Sequence, residues 1–292
     1  MRRIDGCIKN SYGFGLLKIK DCVFDVSLEE EILDFYSFDG DVLFEQNDIK
    51  ISRGGIIRTK PFKTKEEVTQ SSNTTYSIKG NTIYHSGNSA NMIYIAGFYN
   101  LENDKLSRKQ SLFVENNEID CMEMTCPLDF RGLDSVVIFK NKIKTEQSLD
   151  NISINLSAIQ KLQIRQNEIA AGRIMGYACY TPGGVKYDNQ MIDGHWEIIE
   201  NTINQTSENE AAVYIYDQNE MNLNLINNQF IFEKKGNQTV LSIPIGNQKE
   251  VEVRGNTIKA EKTNQILETQ KSHIFWGTSK QHQRLIKNNK EI

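Results

Sequence analysis

A short pattern of apolar and polar residues recurs along the chain. Each copy contains an apolar residue, one or two polar residues, an Asn, any residue and a second apolar residue. The eight copies carry Asn47, Asn81, Asn117, Asn141, Asn167, Asn201, Asn228 and Asn256. A degenerate copy has Asp21 in place of the Asn, and Asn289 begins a further copy near the end of the chain. Neighbouring copies lie 24 to 36 residues apart, which predicts a repeating unit that accepts insertions.

The residues around each Asn predict short β-strands. Apolar and polar residues alternate in the segments 161–164, 221–225 and 251–253, so each strand has one apolar face. A strand, a tight turn with the Asn, a second strand, a loop and a third strand would form one coil. Coils stacked about 4.8 Å apart would pair their strands in parallel, and nine or ten coils would give a column roughly 45 Å long.

Asn is unusually common, with 29 residues in a chain of 292. Asn tolerates the left-handed backbone region better than most residues with a β-carbon, so its excess indicates many similar turns. In a stacked column the Asn amides can hydrogen-bond from coil to coil and satisfy the turn backbone. We therefore expect one corner, with neighbouring α-carbons roughly 5 Å apart, to hold Asn141, Asn167, Asn201, Asn228 and Asn256.

From about residue 19 to the C-terminus, the Asn-x-Ile turns and the coils of variable length resemble the right-handed parallel β-helix proteins of the pectate-lyase-like superfamily. The resemblance implies an all-β fold, a right-handed parallel β-helix of about nine to ten coils with an Asn ladder. Another β-solenoid remains an alternative. A β-propeller does not fit, because its blades need four strands in about 40–45 residues and these repeats are shorter.

The two ends of the chain resemble the repeat itself. A repeat-like segment, residues 7–10, follows Met1 closely, and the chain stops just after the Asn289 turn, with no capping helix evident. An uncapped coil exposes its core and its edge groups. We therefore expect a single domain over 1–292 that is incomplete at one or both ends and continues into a longer chain, or an end-to-end or trimeric assembly.

Composition narrows the choice of partners. The net charge is −4 and the pI is near 5.7. A nucleic-acid-binding protein would need a basic face to neutralise phosphates, so we expect no nucleic acid partner. No apolar run approaches the roughly 20 residues of a membrane-spanning helix, so we expect no membrane span. No secretory signal is visible, although the resemblance implies an extracellular or cell-surface protein.

The resemblance also implies a function. In that superfamily a polysaccharide commonly lies along the outside of one sheet, near long loops, and lyases, hydrolases, phage tailspikes and adhesins share the fold. We therefore expect a carbohydrate-directed protein that binds a polysaccharide and, as a lyase or glycoside hydrolase, would cleave it. The alternative is a non-catalytic adhesin, phage tail or cell-surface structural module. Whether the protein is an enzyme stays open at this point.

The candidate sheet contains the strand that comes after the post-Asn strand of each coil. Alternation places aliphatic residues inward and a row of Tyr, Glu and Asn outward, as a sugar-binding face requires. Its substrate-binding candidates are Tyr94, Asn155, Tyr180, Tyr214 and Tyr216, with Tyr187 and His195 in the long insertion 180–195. The catalytic candidates are Glu123 of the row and Lys186 and Asp188 of the insertion. The structural alternative is that Tyr is simply favoured in strands and that the insertion is a solvated loop.

A cofactor is not required by these residues, but calcium stays open. Lyases of the resembled superfamily often use it, and calcium takes oxygen ligands. The acidic stretch that could supply them contains Asp120, Glu123, Asp129 and Asp134, together with Arg131. No His or Cys spacing typical of a transition-metal site is present.

Overall fold

The computed structural model describes residues 8–10, 13–27, 31–35, 38–59, 73–87, 89–97, 110–122, 124–146, 152–177, 194–206, 211–216, 221–233, 239–242, 250–260, 286–287 and 290–291. All regular secondary structure in these ranges is β-strand. The strands form three sheets, and adjacent strands within each sheet run parallel. Sheet 1 contains Ile8–Asn10, Leu33–Phe35, Ile57–Thr59, Ser89–Ala96, Met124–Arg131, Ile152–Ser157, Arg173–Tyr177, Ala211–Tyr216 and Thr239–Ser242. Sheet 2 contains Gly13–Lys20, Phe38–Glu45, Thr74–Lys79, Gln110–Glu115, Ser135–Phe139, Lys161–Arg165, Gly194–Ile199, Met221–Ile226, Glu250–Arg254 and Ile286–Lys287. Sheet 3 contains Val23–Val26, Asp48–Ile51, Thr82–His85, Glu118–Met122, Lys142–Glu146, Glu168–Ala170, Thr202–Gln205, Gln229–Phe232, Thr257–Ala260 and Lys290–Glu291.

In every coil whose three strands are all described, the chain visits the sheets in the same order: sheet 2, sheet 3, sheet 1 and then sheet 2 of the next coil. This path makes a right-handed parallel β-helix and confirms the predicted fold class. The step from sheet 2 to sheet 3 is always a two-residue turn, for example Gln46 and Asn47 between Phe38–Glu45 and Asp48–Ile51. The connections that enter and leave sheet 1 vary in length.

The predicted Asn ladder is present and includes all eight copies of the repeat. In the seven turns from Asn47 to Asn228 the Asn backbone N–H and the Asn Nδ2 both donate to Oδ1 of the Asn one coil further along, at 2.9 to 3.0 Å. Nδ2 also donates to a carbonyl of the preceding coil, as Asn81 does to Phe44 and Asn201 does to Ile164. The amides are buried, so these bonds satisfy turn groups that water cannot reach.

Two details of the turn differ from the sequence prediction. The left-handed residue is the one before the ladder Asn, with φ of 53° to 65° at residues as different as Gly80, Lys140 and Glu200. The ladder Asn is therefore selected for its side-chain amide and not for its tolerance of left-handed backbone. In the first turn Asp21 takes the left-handed position and Cys22 takes the ladder position, donating its N–H to Asn47 Oδ1 at 3.0 Å. The alignment of Asp21 with the Asn residues was wrong by one position.

The interior of the column is built from aligned apolar side chains. The sheet 3 residue two positions after each ladder Asn points inward and is at most 1% exposed: Ile49, Ile83, Ile119, Ile143, Ile169, Ile203, Phe230 and Ile258. Trp196 of sheet 2 is also buried, and its Nε1 donates to the Ile159 carbonyl at 2.7 Å. A β-carbon at Gly176 of sheet 1 would lie 2.4 Å from Trp196 Cζ3, so the absence of a side chain there makes room for the indole.

The ladder predicts that replacing one amide is costly. Asn201→Ala should lower the free energy of unfolding by about 1–3 kcal/mol, because it leaves the Asn167 N–H and the Ile164 carbonyl without partners. Asn224→Ala is the matched control, since Asn224 lies on the outward face of sheet 2 and should change stability by less than about 0.5 kcal/mol. Denaturant melts measure both, and equal effects would contradict the ladder's role.

The Cys22 turn predicts a stabilising substitution. Cys22→Asn would add an Nδ2 donor to Asn47 Oδ1, extending the ladder by one coil and raising the free energy of unfolding by about 0.5–1.5 kcal/mol. Cys22→Ala, which adds no donor, should not stabilise. A thermal melt of the two variants beside the wild type checks this, and a Cys22→Asn protein that melts with Cys22→Ala would show that the first turn cannot accept the ladder geometry.

Candidate functional site

One residue from each of eight neighbouring sheet 1 strands forms a continuous row. Strand register pairs each member with the next along the column: Asp34, Arg58, Tyr94, Asp129, Asn155, Met175, Tyr214 and Ser242. The residues before and after them whose burial is described, such as Ile93 and Ile95, are buried. The row therefore belongs to the outward face of sheet 1, with successive members about 4.8 Å apart.

The centre of the row is a charged pair stacked on an aromatic ring. Arg131 Nε and Nη2 donate to the two carboxylate oxygens of Asp129 at 2.8 and 2.6 Å. The guanidinium carbon of Arg131 lies 5.2 Å from the centre of the Tyr94 ring. The Asp129 side chain is 2% exposed and that of Arg131 is 30% exposed, so the acid is enclosed beneath its partner.

Asn155 extends this group to the next coil. Its Nδ2 donates to Asp129 Oδ1 at 3.1 Å, which fixes the orientation of the amide. Its Oδ1 is enclosed and accepts no hydrogen bond from the described residues. Met175, the next residue of the row, is only 5% exposed, and Tyr214 follows it. The row thus changes from charged residues, the last of which is Asp129, to uncharged ones along the column.

The thiols near the row are poor nucleophiles. Cys126 lies in the same strand as Asp129, and burial, together with the charge of that carboxylate, raises its pKa well above the ordinary value. Burial likewise raises the pKa of Cys121 inside the column. Both thiols are therefore protonated at neutral pH, and covalent catalysis by cysteine does not fit them.

Three of the predicted sugar-binding residues belong to the row: Tyr94, Asn155 and Tyr214. Tyr216 is in the same sheet, where register pairs it with Tyr177. The predicted binding residues Tyr180 and Tyr187 and the catalytic candidates Glu123, Lys186 and Asp188 all lie outside the described residues.

His195 is not where the sequence prediction put it. It belongs to the sheet 2 strand Gly194–Ile199 and not to a loop beside sheet 1. Its Nε2 lies 3.6 Å from Glu197 Oε1, and Arg165 Nη2 donates to Glu197 Oε2 at 2.5 Å. Burial alone would raise the pKa of Glu197, but the hydrogen bond and charge of Arg165, with help from His195, outweigh it and hold the pKa below its usual value.

The coil that follows Asn117 shows why sequence reasoning missed the centre of the row. The sequence pattern alone predicts its sheet 1 strand at 120–126, with Glu123 as the outward residue. In the structure, Glu118–Met122 belongs to sheet 3 and Met124–Arg131 to sheet 1, so Asp129 takes the place assigned to Glu123. The alternation from Leu128 to Arg131 was the signal that could have found it.

Asp34, Arg58 and Met175 were missed for a related reason. The strands Leu33–Phe35 and Ile57–Thr59 have only three residues each, too few for a clear alternation. In the coil of Met175 the sequence pattern alone fits two registers, and the buried Ile174 decides between them. Strict alternation with Ile152 and Ile154 would place a neighbouring residue, Ser153, outward, but Ser153 is fully buried and its Oγ lies 3.2 Å from Thr145 Oγ1.

The acidic stretch offered as a calcium site is dispersed over two sheets. Asp120 is in sheet 3 near Lys144, while Asp129 of sheet 1 is paired with Arg131. Within the described ranges no group of three or more His, Cys, Asp or Glu side chains could hold a metal ion.

No known family, curated protein or solved structure matches the chain. The fold is therefore established from the structure itself, and membership of the pectate-lyase-like superfamily remains a resemblance. Among the described residues no helix is long and apolar enough to cross a membrane.

The enclosed pair predicts an asymmetry between two similar ion pairs. Arg131→Met should lower the free energy of unfolding by about 3 kcal/mol, because it leaves the buried Asp129 carboxylate without its counter-charge. Arg254→Met is the matched control, since Arg254 pairs with Glu252 at the same two-residue spacing but on an exposed surface, where the loss should stay below about 1 kcal/mol. Urea melts compare the two; equal losses would mean that the Asp129 pair is not enclosed in solution.

Proposed function

We propose that the protein binds a polysaccharide along the outward row of sheet 1. The observation that carries this proposal is the continuity of the row, which runs over eight coils with aromatic and hydrogen-bonding side chains at successive levels. A linear polymer with repeating units suits a linear array of this kind. A polysaccharide long enough to span these eight coils would be met outside the cell, so we propose an extracellular or cell-surface location.

The chemistry of the row suits sugar rings. Tyr94 and Tyr214 are half-buried, with rings that can stack on the C–H faces of a pyranose. Asn155 and Ser242 offer amide and hydroxyl groups for the sugar hydroxyls. Arg131 already rests against Tyr94, so this ring is held in place before any ligand arrives.

The separation of the described carboxylates favours binding over hydrolysis as the function of the row. The row contains two, Asp34 and Asp129, which are three strands apart and therefore separated by about 14 Å at roughly 4.8 Å per strand. Paired carboxylates of glycosidases lie about 5–9.5 Å apart. Cleavage would depend on the predicted catalytic residues Glu123, Lys186 and Asp188, which are not among the described residues. A non-catalytic adhesin, tail protein or surface module is therefore the form of the proposal that the row supports best.

The proposal predicts a loss of affinity when a row aromatic is removed. Tyr214→Leu should weaken binding of a polysaccharide found on a glycan array by about fivefold, the effect of losing about 1 kcal/mol of ring stacking. Tyr84→Leu is the control, because Tyr84 is an exposed tyrosine of sheet 3, 41% exposed, on another face of the column. Isothermal titration measures both variants.

Equal losses of affinity in the two tyrosine variants would show that the polysaccharide does not bind along the row. A glycan array with no bound glycan would overturn the proposed function itself. Incubating the same protein with uronic-acid polysaccharides, with and without calcium, tests for cleavage. Unsaturated products would assign lyase activity and would make the non-catalytic form wrong.

A further inference from the structure

We infer, on the basis of the proposed function, that the row binds a neutral polysaccharide through the hydroxyl groups of the sugar and does not bind a polyanion. The inference concerns the charge of the ligand, which neither the fold nor the continuity of the row determines. It is carried by two features: how the arginines of sheet 1 are paired, and what kind of hydrogen-bonding atom the row leaves without a partner.

The arginine at the centre of the row is already neutralised. Arg131 uses Nε and Nη2 on the two oxygens of Asp129, and Asp129 is buried beneath it. A carboxylate on a ligand could recruit this guanidinium only by drawing it away from an acid that has no water to replace it. Asn155 alone would then remain as a donor to Asp129. The pair therefore behaves towards a ligand as a neutral dipole and not as a cation.

The other arginines of the sheet 1 strands are occupied as well. Arg58 Nη1 donates to Glu31 Oε1 at 3.2 Å, and Glu31 is the less exposed of the two. Arg173 also has an interaction partner. Polyanion binding needs cations whose charge the protein has not itself cancelled, because the attraction must exceed the loss of the existing pair. For Arg58 and Arg131, two acids of the chain, Glu31 and Asp129, already fill this role.

The hydrogen-bonding capacity left in the row points the same way. Asn155 Nδ2 is committed to Asp129, which orients Oδ1 as an acceptor without a donor. An acceptor is satisfied by a hydroxyl or an amide N–H of a ligand and gives no hydrogen bond to a carboxylate or a sulfate, which only accept, so this position favours contact with sugar hydroxyls over contact with anionic groups. Met175 is the neighbour of Asn155 in the row, and its unbranched thioether can change rotamer to admit such a group.

The test separates the charge of the ligand from the existence of binding. Wild-type protein is titrated with neutral polysaccharides (galactomannan, xyloglucan, dextran) and with polyanions (polygalacturonate, alginate), at about 20 mM and about 500 mM salt. We expect binding to at least one neutral polymer, with an affinity that changes by less than about twofold between the two salt concentrations. Binding confined to the polyanions, and weakened by salt, would overturn the inference while leaving the proposed function in place. Binding to neither group would contradict the proposed function itself.

A variant gives a second and opposite readout. Asp129→Asn removes the counter-charge of Arg131 with little change of shape, so binding of polygalacturonate should appear or strengthen by about tenfold and become sensitive to salt. Glu118→Gln is the control, because it removes one negative charge from the exposed face of sheet 3 and should not alter polygalacturonate binding. Equal gains in both variants would assign the effect to net charge and contradict the role of the pair. The salt titration of the wild type remains decisive if Asp129→Asn does not fold.

Discussion

The stacking of the coils depends on one buried group in each turn, the backbone N–H of the ladder Asn. Each turn between sheets 2 and 3 has two residues, a left-handed one and the ladder residue, and the second N–H points along the column. That N–H is buried, so it needs an acceptor from the protein, and the Oδ1 of the next coil supplies it. An unmet donor there would cost about 1–3 kcal/mol, and the requirement recurs in every coil, so a sequence without a suitable amide at this position would stack poorly.

Because the turn never changes length, it also fixes which residues face the core. The residue three positions before each Asn, such as Phe44 or Ile138, and the residue two positions after it, such as Ile49 or Ile143, are buried in every complete coil. Sheets 2 and 3 could therefore be predicted from the sequence, since the Asn marks their register. The one failure at this corner, Asp21 in place of Cys22, arose because a cysteine gives no amide signal while its backbone still donates to the ladder.

Sheet 1 was less predictable because its distance from the ladder varies. A single residue, Glu123, separates the sheet 3 and sheet 1 strands of one coil, whereas residues 27–32 separate them in another. Alternation assigns inward and outward residues only after the start of a strand is known, since a shift of one residue exchanges the two faces. Tyr94 and Tyr214 were found because apolar runs mark their strands, and Asn155 because apolar and polar residues alternate around it. Asp129 was missed because the alternating residues 120–126 just before it indicate an earlier start for the sheet 1 strand than Met124–Arg131 has.

The pair at the centre of the row is not explained by stability alone. The desolvation free energy of a buried ion pair is only partly offset by the attraction between the two charges. Two well-packed neutral residues would often stabilise the fold as well as the pair does. What the pair does provide is order across three coils: Asn155 holds Asp129, Asp129 holds Arg131, and Arg131 lies over the Tyr94 ring. A ring positioned in this way loses little freedom when a ligand stacks on it, so more of the contact energy appears as affinity. The rigid ladder on one side of the column and this fixed ring on another are thus two consequences of the same arrangement, in which a polar side chain from one coil fixes the position of its neighbour in the next.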